Sequence, residues 1–419
     1  MGISKTLLRY PSYFTDNLND LFSISDYKYL VIANITMFAG YQIRVMALAW
    51  IVLDLTDSET SMGLINSISG IGVIGMSLFG GAFSDRFERW KLLWITKLSV
   101  ALISLITGVF LSTNIINENT IWLLIPISLL IGLLFGIHNP SSQTFVVDVV
   151  GKKKLVQAVS FNTSASTLAQ IVAPSLGGVL IWLGYDISFY FISSLYILGA
   201  LMIFSVKTRS KKKNNTSNIK RENILKEIKT GIVYSIKSPI IRPLLLISIT
   251  AVFGGMYQPV IPVKIKEDLG LKELHYGYTL AASGLGALLG SIVLFTLGSK
   301  VKNLYVLILS FIGFDIGVII FGFAPNFLIA ILASVMMGTG FACWMVTVPV
   351  MLQTYSSDEM RGRVISLYYM TILTYQLGWF FGGYLLEKTS IEFSVLFSSL
   401  ASIFIGGATI IFSKEIRKY

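Results

Sequence analysis

Cysteine is nearly absent: Cys343 is the only one in 419 residues. A single thiol excludes an intramolecular disulfide framework and any cysteine-cluster metal site. The two histidines, His138 and His275, stand far apart, which argues against a His-rich zinc site. Charge is scarce as well, at 13% of residues against roughly 25% in soluble domains. With 54% hydrophobic residues and a mean hydropathy of +0.73, the composition fits neither a soluble globule nor a disordered chain. No Gly-x-x-x-x-Gly-Lys-[Ser/Thr] loop occurs, so ATP is not expected to drive the protein. Titratable groups inside the apolar runs are too few to assemble a nucleophile, a base and metal ligands. No enzyme activity, cofactor or metal is therefore expected.

What the chain does have is long apolar runs. A helix needs ~20 mostly apolar residues to cross a bilayer. Twelve stretches qualify: 29–54, 60–84, 91–113, 120–140, 155–184, 186–206, 240–263, 275–298, 303–323, 325–352, 363–387 and 390–413. They are continuous rather than alternating ten-residue segments, which favours helices over a barrel. The predicted fold class is an all-α membrane protein with twelve transmembrane helices in two six-helix bundles. Its expected parts are an amphipathic cytoplasmic arm (1–28), a first bundle (29–206), a basic cytoplasmic linker (207–238), a second bundle (239–413) and a cytoplasmic tail (414–419). The first residues do not read as a signal peptide. Met1-Gly2-Ile3-Ser4-Lys5-Thr6 fits a myristoylation pattern, but an arm lying on the membrane surface is the plainer reading.

The net charge of +11 has a topological explanation. Twenty-six of the 33 Lys and Arg residues fall on one side: the N-terminus, the even-to-odd loops and the C-terminus. Four fall on the other: Lys264, Lys266, Lys272 and Lys388. Arg44, Lys97 and Arg242 lie inside or at the ends of spans. The positive-inside rule then places both termini and the linker in the cytoplasm, and the protein in the cytoplasmic membrane. Nucleic acid need not be invoked, and basic linker residues can meet anionic lipid headgroups.

The halves echo each other. Gln143-Thr144-Phe145 after span four matches Gln353-Thr354-Tyr355 after span ten. Gly177-Gly178-Val179-Leu180 in span five matches Gly382-Gly383-Tyr384-Leu385 in span eleven. Parallel repeats about an axis along the membrane normal place a shared cavity between the halves. Rocking of the halves exposes that cavity to each side in turn.

The loop after span two, Gly80-Gly81-Ala82-Phe83-Ser84-Asp85-Arg86-Phe87-Glu88-Arg89, resembles the signature loop of the major facilitator superfamily. Leu78-Phe79-Gly80-Gly81, Ala173-Pro174-Ser175-Leu176-Gly177-Gly178 and Asp358-Glu359-Met360-Arg361-Gly362-Arg363 look like the branch containing the enterobactin exporter and macrolide-efflux proteins. The likeness covers nearly all of 29–413. It implies a secondary transporter exporting a drug-like or siderophore-like amphipathic molecule, with proton antiport as a candidate drive; importer and transport-inactive sensor or assembly partner are alternatives on the same fold. A monomer is expected. The resemblance assigns Gly81, Asp85, Arg86 and Arg89 to a cytoplasmic latch between the halves. Arg361 and Arg363 are its second-half counterpart or positive-inside charges. Span four carries no Arg, where many proton-coupled drug antiporters have one.

Other site candidates come from the residues themselves. Ser160, Thr163, Thr167, Gln170, Pro174 and Gly177 recur at helical spacing along span five, with Asn162 beside them. That stripe lines a path or packs on a neighbouring helix. Pro174, Gly177 and Gly178 are expected to serve hinge or packing roles. Tyr257, Gln258, Trp344, Tyr375 and Trp379 suit the wall of an amphipathic pocket. Charge inside a membrane is expensive and marks candidate function. Arg44 can attract an anion or snorkel outwards; Gln42, two residues away, is expected to point nearly opposite. Asp315 in span nine is the candidate proton carrier, and His138 is expected near the interface.

Overall fold

The computed structural model describes residues 20–209, 224–297, 301–357, 359–413 and 415. At 78, 80–82, 84–86, 152, 156, 167, 170, 224–228 and 297 only the course of the backbone is described. Among the described residues all regular structure is helical. The first half comprises α1 (Ser25–Thr56), α2 (Glu59–Arg86), α3 (Arg89–Ser112), α4 (Leu124–Val150), α5 (Leu155–Leu183) and α6 (Tyr185–Ser205). A short helix, α7 (Ile224–Lys237), follows. Span seven is built from α8 (Ile241–Ile249), α9 (Ala251–Met256), α10 (Val260–Val263) and a π-turn over Lys264–Asp268. Then come α11 (Glu273–Leu297), α12 (Asn303–Gly322), α13 (Phe327–Tyr355), α14 (Arg361–Ile372), α15 (Thr374–Lys388) and α16 (Ile391–Phe412).

Ten of these elements are long and apolar enough to cross a membrane. Helix α2, and α14 with α15 across their break at Leu373, pack among the ten, which fits the expected twelve. Side chains cap several helix starts, as orphan N–H groups require. Ser58, Asn326 and Ser390 accept backbone N–H groups at the starts of α2, α13 and α16.

Two helices run further than the hydropathy pattern predicts. Gln143-Thr144-Phe145 lies inside α4, and Gln353-Thr354-Tyr355 inside α13, rather than beyond them. The extensions are held by burial: Phe145, Val146 and Val150 join one apolar cluster, and half-buried Tyr355 packs against another. The linker also departs from expectation, because its second part is helical. Tyr234 on α7 accepts the Ser357 N–H at 3.2 Å, and Gly231 faces Arg363. The linker's first residues bind the other half: Asp26 accepts the N–H groups of Lys207 and Thr208 at 3.1 and 2.7 Å.

Three apolar cores decide how the halves sit. One mixes both halves, bringing Trp50, Met62 and Ile181 together with Ile265, Tyr276 and Leu386. The other two lie at the end that carries most of the Lys and Arg, here called the basic end. Leu30, Leu93, Phe145 and Ile203 belong to the first half alone; Leu244, Leu307, Met351 and Tyr368 belong to the second half alone. The described halves thus share a core at the end opposite the basic loops and keep separate cores at the basic end.

Candidate functional site

The seam at the shared end is built from glycine. Without side chains, helix backbones can approach closely. A Cβ on Gly178 would lie 3.0 Å from the Glu273 carbonyl, and one on Gly277 would lie 2.7 Å from the Pro174 carbonyl. These positions join α5 to α11. On the pseudo-symmetric side, a Cβ on Gly383 would lie 2.2 Å from the Glu59 carbonyl, and one on Gly63 would lie 2.3 Å from the Trp379 carbonyl. These join α15 to α2. Glu273 and Glu59 each open their helix, so the repeat seen in sequence appears here as two equivalent contacts. Pro174 and Gly178 thus lie on the contact between halves, while Gly177 packs on Met46 within the first half.

Polar contacts reinforce this seam. Glu387 accepts from the Ser58 hydroxyl at 2.8 Å and from the Thr60 N–H at 3.0 Å, capping the start of α2 from the other half. Lys266 reaches Asp54 at 3.2 Å, Asp57 at 3.3 Å and the Leu53 carbonyl at 3.4 Å. The Tyr185 hydroxyl donates to Asp54 as well. These residues are additions to the sequence reading. Their signal was present in the few charges flanking spans on the sparsely charged side.

Next to the seam lies a cavity of about 290 Å³ between the halves. The first half contributes Tyr41, Gln42, Arg44, Asn66 and Ser69; the second contributes Tyr257, Gln258, Tyr276, Phe341, Tyr375 and Trp379. Both broken spans border it. Gln258 sits in the turn between α9 and α10, and Tyr375 follows the break between α14 and α15. Broken helices at such positions are a usual way to line a membrane site. The breaks abut because a Cβ on Gly255 would fall 1.9 Å from the Tyr375 carbonyl. The Gln258 amide donates to the Tyr257 hydroxyl at 2.8 Å and to the Tyr375 hydroxyl.

Arg44 is 1% exposed and does not snorkel. Its Nη2 donates to Ser69 Oγ at 2.9 Å, and its guanidinium carbon lies 5.6 Å from the Tyr41 ring centre. Its Nε and Nη1 have no partner among the described residues. A buried donor left unpaired costs roughly 1–3 kcal/mol, and more when charged. Gln42 and Arg44 both border the cavity, contrary to the expected opposite directions. Helix α1 lies at the meeting of the halves, and the long Arg side chain reaches across to Ser69 on α2.

Other predicted residues lie elsewhere. Asn162 accepts from the Asn34 amide at 3.1 Å within the first half. Trp344 borders a smaller pocket of about 40 Å³ that shares Phe341 and Tyr375 with the main cavity. The side chain of Gln170 lies outside the described residues, as do those of Asp85 and Arg86 and the surroundings of Gly81. Arg89 pairs with Asp148 at 2.8 Å, within its own half. Arg361 Nε donates to the Gln353 carbonyl at 3.1 Å, and Arg363 lies against Met360. Asp315 is 2% exposed and accepts from the Ser402 hydroxyl at 3.0 Å; Ser402 borders the small pocket. His138 is buried in the middle of α4, not interfacial, because α4 continues beyond it; its Nδ1 lies 3.0 Å from Thr96 Oγ1. Close by, Lys97 is fully buried and donates to the Ala33 carbonyl at 2.7 Å.

A family model described as transmembrane secretion effector matches residues 21–418. The chain belongs to that family, a branch of the major facilitator superfamily. It is 23% identical over 354 residues to the staphyloferrin A transporter of Staphylococcus aureus, covering 82% of this chain and 85% of that one. It is 21% identical over 317 residues to the enterobactin exporter of Escherichia coli, covering 75% and 74%. Among solved structures it resembles the nucleoside transporter NupG, with a TM-score of 0.74 and 14% identity over 94% of this chain and 99% of that one. It also resembles a D-xylose–proton symporter, with a TM-score of 0.71 and 16% identity over 94% and 99%. At these identities the structural likeness establishes the fold. The protein is a major facilitator transporter, a multi-pass membrane protein built around a cavity between two helical halves.

Proposed function

We propose that this transporter exports an amphipathic small molecule, drug-like or siderophore-like, across the cytoplasmic membrane by alternating access. The observation that carries the reading is the asymmetry about the cavity. The hydrogen bonds and ion pairs seen between the halves, made by Glu387 and Lys266, lie at the end opposite the basic loops. The basic end holds two separate cores. By the positive-inside rule the basic end faces the cytoplasm, as do both termini. On this reading the molecule is open inwards, ready to load from the cytosol. Export is supported by the family's description as secretion effectors and by the relative named as an enterobactin exporter.

In this reading the seam of glycines, Lys266 and Glu387 opens when the halves rock, and a latch at the basic end closes. Gly81, Asp85, Arg86 and Arg89 form that latch, with Arg361 and Arg363 as the second-half partners. Gln42, Arg44, Tyr257, Gln258, Tyr375 and Trp379 hold the substrate. Asn162 and Gln170 act on the path along α5, and Trp344 acts through the small pocket. Pro174, Gly177 and Gly178 form the hinge and packing surface. Asp315 carries the proton of an antiport cycle. Helix α7 rests on the membrane surface, since its exposed Ile232, Val233 and Ile236 offer lipid an apolar face.

The test compares small molecules retained by cells with and without the gene, then moves the retained compound in liposomes containing the purified protein. Efflux without ATP is expected, slowed by Asp85→Asn. No difference in retained compounds, or movement unaffected by the protein, would reject export.

A further inference from the structure

We infer that the cavity selects ligands carrying an oxyanion, which pairs with Arg44 while an aromatic or apolar body lies against the second half. The inference rests on reading this cavity as the transport site and names the class of molecule it takes.

The first observation is an unbalanced charge. Arg44 is buried and has three N–H bonds, on Nε and Nη1, without an acceptor among the described residues. A guanidinium keeps its charge even when buried. It therefore needs an anion, and among the described residues no carboxylate borders the cavity. Among the described residues the buried carboxylates are Asp26 and Asp315. Asp26 is occupied by Lys207 and Thr208, and Asp315 by Ser402. The Tyr41 ring offers Arg44 its π-face, which leaves the N–H bonds unanswered.

The second observation is where this charge sits. Arg44 borders the cavity rather than a closed core, and its free N–H groups, covered in this state, meet an incoming anion once the side chain turns into the cavity. Across the cavity stand Tyr276, Phe341, Tyr375 and Trp379, with the Gln258 amide among them. One wall therefore presents a fork suited to a planar carboxylate, and the other presents aromatic faces. Carboxylates and phosphate monoesters share the required chemistry.

The test uses the purified full-length protein in nanodiscs, in buffer free of carboxylate and phosphate. Naphthoate, naphthyl phosphate and neutral naphthamide are the probes, with tryptophan fluorescence as the readout. Wild type should bind at least one of the two anions about tenfold or more tightly than the amide, a difference worth about 1.4 kcal/mol. The preferred anion identifies the source. Arg44→Met should lose the preference, while Arg44→Lys should keep part of it. Ligand-free Arg44→Met should melt no lower than wild type, because an unpaired buried charge has been removed. Equal binding of anions and amide, or no binding of either anion, would overturn the inference. So would an anion preference surviving in Arg44→Met, or loss of the folded state in both Arg44→Met and Arg44→Gln. Liposomes that export a neutral compound with no anion preference would refute the anion site alone. Anion binding with no transport would refute the export reading alone.

Discussion

At the scale of single residues, the seam between the halves depends on positions that tolerate no side chain. Gly383 and Gly63 face carbonyls at distances that a Cβ could not share. Gly407 and Gly313 have open space around them. Gly383→Val should therefore act only on the state in which the seam is closed, at an overpacking cost of roughly 1–3 kcal/mol. The population with the seam open should rise by roughly tenfold. A cysteine at Tyr41, placed in a Cys343→Ser background, should then react faster with an impermeant maleimide added outside. Gly407→Val should change nothing; equal rates for all three proteins would refute the assignment. The glycine repeat was legible in the sequence, because Gly177-Gly178 and Gly382-Gly383 stand out. What each glycine touches was not legible, since Glu273 and Glu59 come from the other half. The pairing of Gln42 with Arg44 on one cavity was missed for a related reason. Helical geometry fixes where a Cα–Cβ bond points, but not where a long side chain ends.

At the scale of elements, apolar runs located the spans because the bilayer requires their length and composition. Hydropathy could not show that α4 continues to Val150, where burial against neighbouring helices replaces burial in lipid. Nor did it show the breaks in spans seven and eleven. Gly254, Gly255, Pro259 and Pro262 are visible breakers, but only packing against α15 fixes where the helix gives way. The α12–α16 contact carries a separate prediction. Asp315 has one described hydrogen-bond partner, Ser402, and lies outside the main cavity wall. Asp315→Asn should abolish uphill efflux driven by a proton gradient and spare downhill exchange of the same compound. Uphill efflux that persists in Asp315→Asn liposomes would remove the residue from coupling.

At the scale of the whole molecule, the two halves form a balance with its pivot at the cavity. The polar ties at the closed end are partly exposed, and each is worth roughly 0.2–1 kcal/mol. Together they bias a bistable seam rather than lock it. Lys266→Gln combined with Glu387→Gln should shift the balance towards the state open opposite the basic loops, by severalfold and more strongly at low ionic strength. The most direct measurement of the rocking claim is a pair of spin-label distances in the Cys343→Ser protein. One pair, at Ser164 and Thr354, spans the basic end; the other, at Glu118 and Lys388, spans the opposite end; all four positions are exposed. On combining Gly383→Val with Lys266→Gln, the basic-end distance should shorten as the opposite-end distance lengthens. Two distances that stay fixed, or that change in the same direction, would contradict alternating access about this cavity.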